Sequence, residues 1–97
     1  MNTALARFDE EIHAPMRLRI CAVLAGVEAM EFSTLKDRLE VADSVLSKHA
    51  ARLEAIGYVQ VSKSPRGGHL RTWLGLTPVG LAAYRSHIAA LRELAGL

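Results

Sequence analysis

The chain has 97 residues and is 51% hydrophobic, which is enough for one domain with a single compact core. No apolar run approaches the ~18 residues that cross a bilayer, and no cationic-then-apolar leader begins the chain, so we expect a cytoplasmic protein that does not enter a membrane. The single cysteine, Cys21, excludes an internal disulfide and a multi-thiolate metal site.

Positive charge is concentrated in the middle of the chain. The formal net charge is only +2, yet residues 43–75 carry five cations against two acidic side chains, and residues 1–32 carry three cations against five acidic side chains. The five cations are Lys48, Arg52, Lys63, Arg66 and Arg71. We therefore expect residues 43–75, Lys63 included, to face a polyanion.

The first third of the chain predicts two helices. The stretch "NTALARFDEEI" has modest helical periodicity through Leu5, Phe8 and Ile12, and Pro15 interrupts it. Proline suits the first turn of a new helix, and "PMRLRICAVLAGVEA" is predicted to be a core helix. Its apolar side chains recur at helical spacing: Met16, Ile20, Val23, Leu24 and Val27.

Two further helices are predicted after a short extended pair, Glu31-Phe32. Ser33 is the predicted N-cap of "TLKDRLE", and "VAD" forms a tight connection. Asp43 or Ser44 is expected to cap the next helix, residues 43–56, and Gly57 fits the left-handed position that ends it. The core stripe of that helix consists of Leu46, Ala50 and Leu53.

The last third predicts a hairpin and a helix. "YVQVSKS" and "LRTWLGL" read as strands joined by an open loop, "PRGGH", in which Gly67 and Gly68 supply flexibility. Thr77 is the predicted cap of the last helix, with Pro78 at its first position. The resulting fold class is α+β, mostly helical, in one domain of residues 1–97.

Two short helices joined by a tight turn form a helix-turn-helix, whose second helix enters the DNA major groove. Opposite the core stripe of helix 43–56 lie hydroxyls, a small residue and cations: Ser44, Ser47, Lys48 and Ala51, with Arg52 toward the edge. Hydroxyls and lysine reach base edges and phosphates, and a small side chain lets the backbone approach. This face is predicted to read DNA, with the following hairpin as a basic wing.

Three stretches of the sequence resemble a known family. They are "FSTLKDRLEVADS", "LSKHAARLEAIGYV" and "VSKSPRGGHLRTWLGLTPVG". In this order they resemble winged-helix transcriptional regulators of the MarR/ArsR type, above all a compact bacterial branch that opens with a segment like "HAPMRLRI". The resemblance covers residues 12–90. It implies a winged helix-turn-helix fold with a three-helix core, and a homodimer that binds operator DNA.

The resemblance also implies roles for particular residues. It places Ser44, Ser47, Lys48 and Arg52 on the recognition helix, Ser33, Thr34 and Lys36 on the DNA backbone, and Arg66, His69 and Arg71 in the wing. The chain departs from the family because it lacks the paired-cysteine metal motif and the long flanking helices. We therefore expect no metal and no cofactor, and any small-molecule effector is unknown.

Other chemistry-bearing side chains predict structural roles. The four histidines are scattered over different predicted elements, which disfavours a metal site. Cys21 is expected to be a buried structural thiol, and Trp73 to pack at the base of the hairpin. No nucleophile or carboxylate pair has the partners that catalysis requires, so the protein is predicted not to be an enzyme.

Both ends of the chain carry more apolar surface than a small three-helix core needs. The predicted core spans residues 12–90, and residues 1–11 and 89–97 are predicted dimerisation segments. The predicted interface residues are Leu5, Phe8, Ile12, Ile88, Leu91 and Leu94. A two-fold interface of this kind would place two recognition helices about 34 Å apart, one turn of duplex DNA.

The sequence thus predicts a regulator that binds double-stranded DNA in a sequence-specific way. In its detailed form it is a homodimeric repressor that reads a pseudo-palindromic operator with helix 43–56 and wing 63–73. Two alternatives stay open. One is a winged helix used as a protein-interaction module, which the modest net charge and the acidic N-terminal segment permit. The other is an effector-sensing switch that uses the dimer interface or Cys21.

Overall fold

The computed structural model describes residues 6–97, which form five helices and three strands. In chain order these are α1 (Glu10–His13), α2 (Pro15–Leu24), β1 (Met30–Glu31), α3 (Phe32–Leu39), α4 (Asp43–Ala55), β2 (Val59–Arg66), β3 (His69–Leu76) and α5 (Pro78–Ala95). The order confirms the predicted helix-turn-helix, α3–α4, followed by a hairpin. Across residues 6–97, no helix combines the length and apolar character that a membrane crossing requires.

The three strands form one antiparallel sheet with β3 in the middle. β1 pairs with β3 by placing Met30 opposite Leu74. β2 pairs with β3 along its whole length, beginning with Val59 opposite Leu76. Because β1 is only two residues long, most of the β2–β3 hairpin extends beyond it as the wing.

The turn of the wing is tighter than the sequence predicts. The ladder continues to Arg66 opposite His69, so the loop consists of Gly67 and Gly68 alone rather than an open "PRGGH" segment. Their φ angles are 58° and 81°, and two consecutive positive values are typical of the type I′ turn that suits a two-residue hairpin. Pro65 is accommodated within β2 because β2 is an edge strand.

The core lies where α2, α3 and α4 meet the base of the sheet. The predicted stripe of α4 is confirmed, since Leu46 and Leu53 are fully buried and Ala50 is 5% exposed. The largest fully buried aliphatic side chains are Ile12, Ile20, Leu24, Leu35, Leu46, Leu53 and Leu74. The prediction for Val27 is wrong: α2 ends at Leu24, and Val27 lies beyond it with 41% of its surface exposed.

The N-terminal segment is helical over one turn only. Residues 6–9 are not helical, and Asp9 accepts a hydrogen bond from the backbone N–H of Ile12 at 3.1 Å to cap α1. An aspartate side chain accepts hydrogen bonds from nearby backbone N–H groups, so it favours the start of a helix over its interior. We call residues 6–13 the N-terminal strap. Leu5 lies outside the described residues.

The N-caps of α3 and α4 are residues that precede the predicted capping residues. Helix α3 begins at Phe32 with Glu31 as its N-cap, because the pairing of Glu31 with Trp73 holds the preceding backbone extended. The hydroxyl of Ser33 instead donates to the Glu31 carboxylate at 3.0 Å. The N-cap of α4 is Ala42, so Asp43 is already helical.

The predicted start of α5 is confirmed. Pro78 is its first residue, and the hydroxyl of Thr77 accepts a hydrogen bond from the Gly80 N–H at 3.0 Å. The same hydroxyl donates to the backbone oxygen of Gly57 at 2.7 Å. Thr77 therefore joins the start of α5 to the end of α4 and fixes where the wing leaves the domain. Gly57 has a φ of 83°, as its predicted left-handed position requires.

Candidate nucleic-acid interface

The outward face of α4 is exposed and consists mostly of small side chains. Ser44, Ser47, Lys48 and Ala51 are all exposed, whereas the opposite side of the helix is buried in the core. This is the division that the helical spacing predicts. These four residues offer hydroxyl donors and acceptors, one amine and one methyl group to an approaching base edge.

A groove lies between α4 and the wing. It encloses about 360 Å³ and is lined by residues of α4 on one wall and of the strands on the other, among them Ser47, Ala51, Glu54, Lys63 and Thr72. The sequence reading missed Glu54 and Thr72. Glu54 lies seven residues after Ser47, two helical turns along the same face, so the helical spacing contained the signal.

A second depression of about 410 Å³ lies between the start of α3 and strand β3 of the wing. It brings together three residues that the family resemblance assigns to DNA contacts in different elements: Ser33 of α3 with His69 and Arg71 of β3. Thr34 is exposed on α3 nearby in sequence. The side chain of Arg66 lies outside the described part of the structure.

Three of the predicted contact cations are held by acidic side chains of the same chain. The pairs are Lys36 with Asp43 at 2.9 Å, Arg71 with Glu31 at 2.7 Å, and Arg52 with Glu11 at 2.5 Å. The hydrogen bond to Asp43 raises the pKa of Lys36, and the hydrogen bond from Arg52 lowers the pKa of Glu11. Each pair reduces the net positive field that the cation presents to DNA.

Lys48 and Lys63 differ from these three. Both are exposed, and neither has an ion-pair partner among residues 6–97. Lys48 projects from the outward face of α4, and Lys63 lines the groove beside it. Among the predicted contact lysines and arginines whose side chains the structure describes, these two have a charge that no acidic side chain neutralises.

The N-terminal strap brings together histidines that the sequence reading regards as scattered. Nδ1 of His87 accepts a hydrogen bond from the backbone N–H of Asp9 at 2.9 Å, and its Nε2 lies 3.4 Å from Nδ1 of His13. Since Nδ1 of His87 is an acceptor, the neutral ring carries its proton on Nε2, the nitrogen that faces His13. Burial, followed by the neighbouring His13, lowers the pKa of His87, which is fully buried.

Asp9 makes hydrogen bonds that link this strap to other parts of the domain. One carboxylate oxygen caps α1, and the other accepts a hydrogen bond from the hydroxyl of Tyr58 at 2.5 Å. This hydrogen bond is the main reason that the pKa of Tyr58 is raised to about 12. The strap therefore connects α5 with the start of the wing. No group of three or more potential metal-ligating side chains occurs in residues 6–97.

Residues 16–95 match the family model of the winged helix DNA-binding domain. The chain belongs to the winged helix DNA-binding domain family. Membership confirms the predicted fold and the prediction of a DNA-binding protein rather than an enzyme. The matched range contains α3, α4 and the wing, whereas the N-terminal strap lies outside it.

Similar proteins agree with the winged helix assignment. The chain is 34% identical over 79 residues to an uncharacterized protein of Methanocaldococcus jannaschii, covering 81% of this chain and 86% of the relative. A transcriptional regulator homologue from Pyrococcus horikoshii has the same fold with a TM-score of 0.85 at 23% identity, covering 91% of this chain and 87% of that one.

A solved complex of a MarR variant from E. coli with operator DNA is also similar in fold, with a TM-score of 0.65 at 19% identity. The alignment covers 79% of this winged helix chain and 55% of the MarR chain. The family model thus shows a winged helix DNA-binding domain, and these neighbours share its fold.

Proposed function

We propose that the protein is a cytoplasmic homodimeric repressor that reads a pseudo-palindromic operator in duplex DNA. The observation that carries the proposal is the exposed face of α4, with Ser44, Ser47 and Lys48, beside a groove that Lys63 closes from the wing. In this proposal α4 enters the major groove and the wing follows the backbone. Ser47 and Lys48 read base edges, and Lys63 holds a phosphate.

The second element of the proposal is a two-fold interface built on the end of α5. Leu94 is 74% exposed, and Ile88 and Leu91 are half-buried along the same helix. Phe8, also assigned to the interface, is 38% exposed and packs against the rings of His13 and His87. Ile12 is removed from the proposed interface because it is fully buried in the core of its own protomer.

The proposal is tested by sedimentation and fluorescence anisotropy of the purified protein with a pool of random duplex DNA, at low and moderate salt. We expect a dimer that binds the pool and from which an operator can be selected. If Lys48 and Lys63 of both protomers each neutralise one phosphate, the slope of log K against log salt is about −3.6 or steeper. A monomer, or a dimer that ignores duplex DNA at low salt, would overturn the proposal and favour a protein-interaction module.

A further inference from the structure

The recognition helix is tied to the N-terminal strap by one side chain on each. Arg52 of α4 donates from Nε to one carboxylate oxygen of Glu11 at 2.8 Å and from a terminal nitrogen to the other at 2.5 Å. This two-bond geometry fixes the plane of the guanidinium as well as its position, which a single ion pair does not. Glu11 lies 41 residues before Arg52 in the chain.

Glu11 is itself held on both sides. Its helical turn is capped by Asp9, and the next residue, Ile12, is fully buried in the core. Nε of Arg17 donates to the backbone oxygen of Glu11, and a terminal nitrogen of Arg17 lies 3.8 Å from its carboxylate. The Glu11–Arg52 pair therefore differs from an ordinary surface pair of two mobile side chains, because the acid belongs to an anchored backbone.

The pairing leaves part of Arg52 available to DNA. A guanidinium has five N–H donors, of which Glu11 takes two. The side chain remains 53% exposed, and Arg52 follows Lys48 by one helical turn along the flank of α4. The free donors therefore lie beside the outward face of α4, where they could bind a backbone phosphate when that face enters the major groove.

We propose that Glu11 is a positioning residue for DNA recognition. It orients Arg52 to bind one phosphate when the protein is aligned with its operator. In any other alignment on DNA, the Glu11 carboxylate neutralises the positive charge of Arg52. This inference rests on the proposed function. A neutralised cation contributes little to the counterion release that drives binding to random DNA. It still contributes hydrogen bonds wherever the duplex is seated correctly. Glu11 thus raises the ratio of operator affinity to random-DNA affinity.

The experiment compares Glu11→Gln with Glu10→Gln in the full-length protein, using anisotropy on operator and random duplex over a range of salt. Glu10→Gln removes the same charge from the exposed side of the same helical turn and is the matched control. Each substitution is also made in an Arg52→Ala background. Arg52→Lys is the second variant, since it keeps the charge at an exposed position and removes the two-bond geometry.

We expect Glu11→Gln to free one cation per protomer, so that the salt slope of a dimer steepens by about 1.8. Affinity for random DNA should rise and the operator-to-random ratio should fall. Glu10→Gln should cause a smaller change in both quantities, and Glu11→Gln should change neither in the Arg52→Ala background. Arg52→Lys should lower the ratio without shifting the thermal unfolding midpoint.

Three outcomes would overturn the inference. In the first, the wild-type protein binds the operator and Glu11→Gln leaves slope and ratio unchanged, in which case the inference alone fails. In the second, Glu10→Gln matches Glu11→Gln, so that the effect is only one of net charge. In the third, the wild-type protein does not bind duplex DNA at all, in which case the proposed function fails with it. If Glu11→Gln does not fold, an unchanged operator-to-random ratio in Arg52→Lys decides against the inference.

Discussion

The contact between α5 and the start of the wing makes a strong prediction about Gly80. A Cβ placed at Gly80 would lie 2.1 Å from the backbone oxygen of Tyr58 and 2.8 Å from its carbon. That oxygen also accepts the backbone N–H of Thr77 at 3.0 Å. Both clashing atoms are backbone, so neither can rotate away. The substitution Gly80→Ala must therefore push the first turn of α5 away from the wing.

The magnitude follows from three opposing terms. Overpacking of this kind costs about 1–3 kcal/mol. Weakening the hydrogen bond from Thr77 to Tyr58 removes about 1 kcal/mol more. Alanine returns about 1 kcal/mol of helix propensity relative to glycine. We expect Gly80→Ala to lower the free energy of unfolding by roughly 2 kcal/mol.

Urea unfolding followed by circular dichroism measures this change, since a chain of this size is expected to unfold in two states. The matched control is Gly26→Ala, whose Cβ would approach its nearest neighbour, the Val23 backbone oxygen, only to 3.8 Å. The control should be neutral or stabilising by about 0.5 kcal/mol. A gain in stability for Gly80→Ala similar to that of the control would refute the steric argument.

Three further predictions concern buried titratable groups and the two kinds of cation. Because the pKa of His87 is lowered in the fold, the unfolded chain takes up this proton first as the pH falls below the ordinary value of 6.5. The urea midpoint should therefore fall as the pH drops below 6.5, and His87→Gln should flatten this dependence. Burial raises the pKa of Cys21 to about 11, so native protein should resist thiol alkylation at neutral pH and react once urea unfolds it; rapid native labelling would contradict its burial. Lys48→Ala should reduce the salt slope of DNA binding by about 1 per protomer, and Lys36→Ala by less, because Asp43 already pairs with Lys36; equal reductions would show that this ion pair opens on DNA.

The order of elements followed from short-range signals in the sequence. The stripe of Leu46, Ala50 and Leu53 predicts the buried side of α4, and the threonine-proline pair at Thr77 predicts the start of α5. Both signals act between residues a few positions apart, which is the range over which helical periodicity and capping operate. They were sufficient for the fold and for the exposed face of α4.

The ion pairs that neutralise cations of the candidate interface could not be predicted from such short-range signals. Glu11 and Arg52 are far apart in sequence, and the tertiary contacts of the strap, among them the packing of Ile12 into the core, bring it beside α4. The same holds for His87, whose partner Asp9 lies 78 residues away. Helical spacing gives the direction of a side chain from its own helix, but it does not give the partner that it meets.

The predicted N-cap of α3 is wrong because sheet pairing acts on the residues just before it. Ser33 is a residue type that favours the N-cap, yet sheet pairing by Glu31 starts α3 at Phe32, two positions earlier than a cap at Ser33 requires. Tertiary pairing overrides a cap preference of about 1 kcal/mol without difficulty.

The strap also determines when this protein becomes complete during synthesis. Asp9 and Arg7 bond to His87 and Ser86 across 78 and 79 residues of sequence. A nascent chain that has emerged only as far as the wing still lacks α5, so the backbone N–H of Asp9 cannot yet donate to the imidazole of His87. Contacts of such long range carry a large loop-closure entropy and form late. The two hydrogen bonds that join the strap to α5 are thus a property of the finished chain.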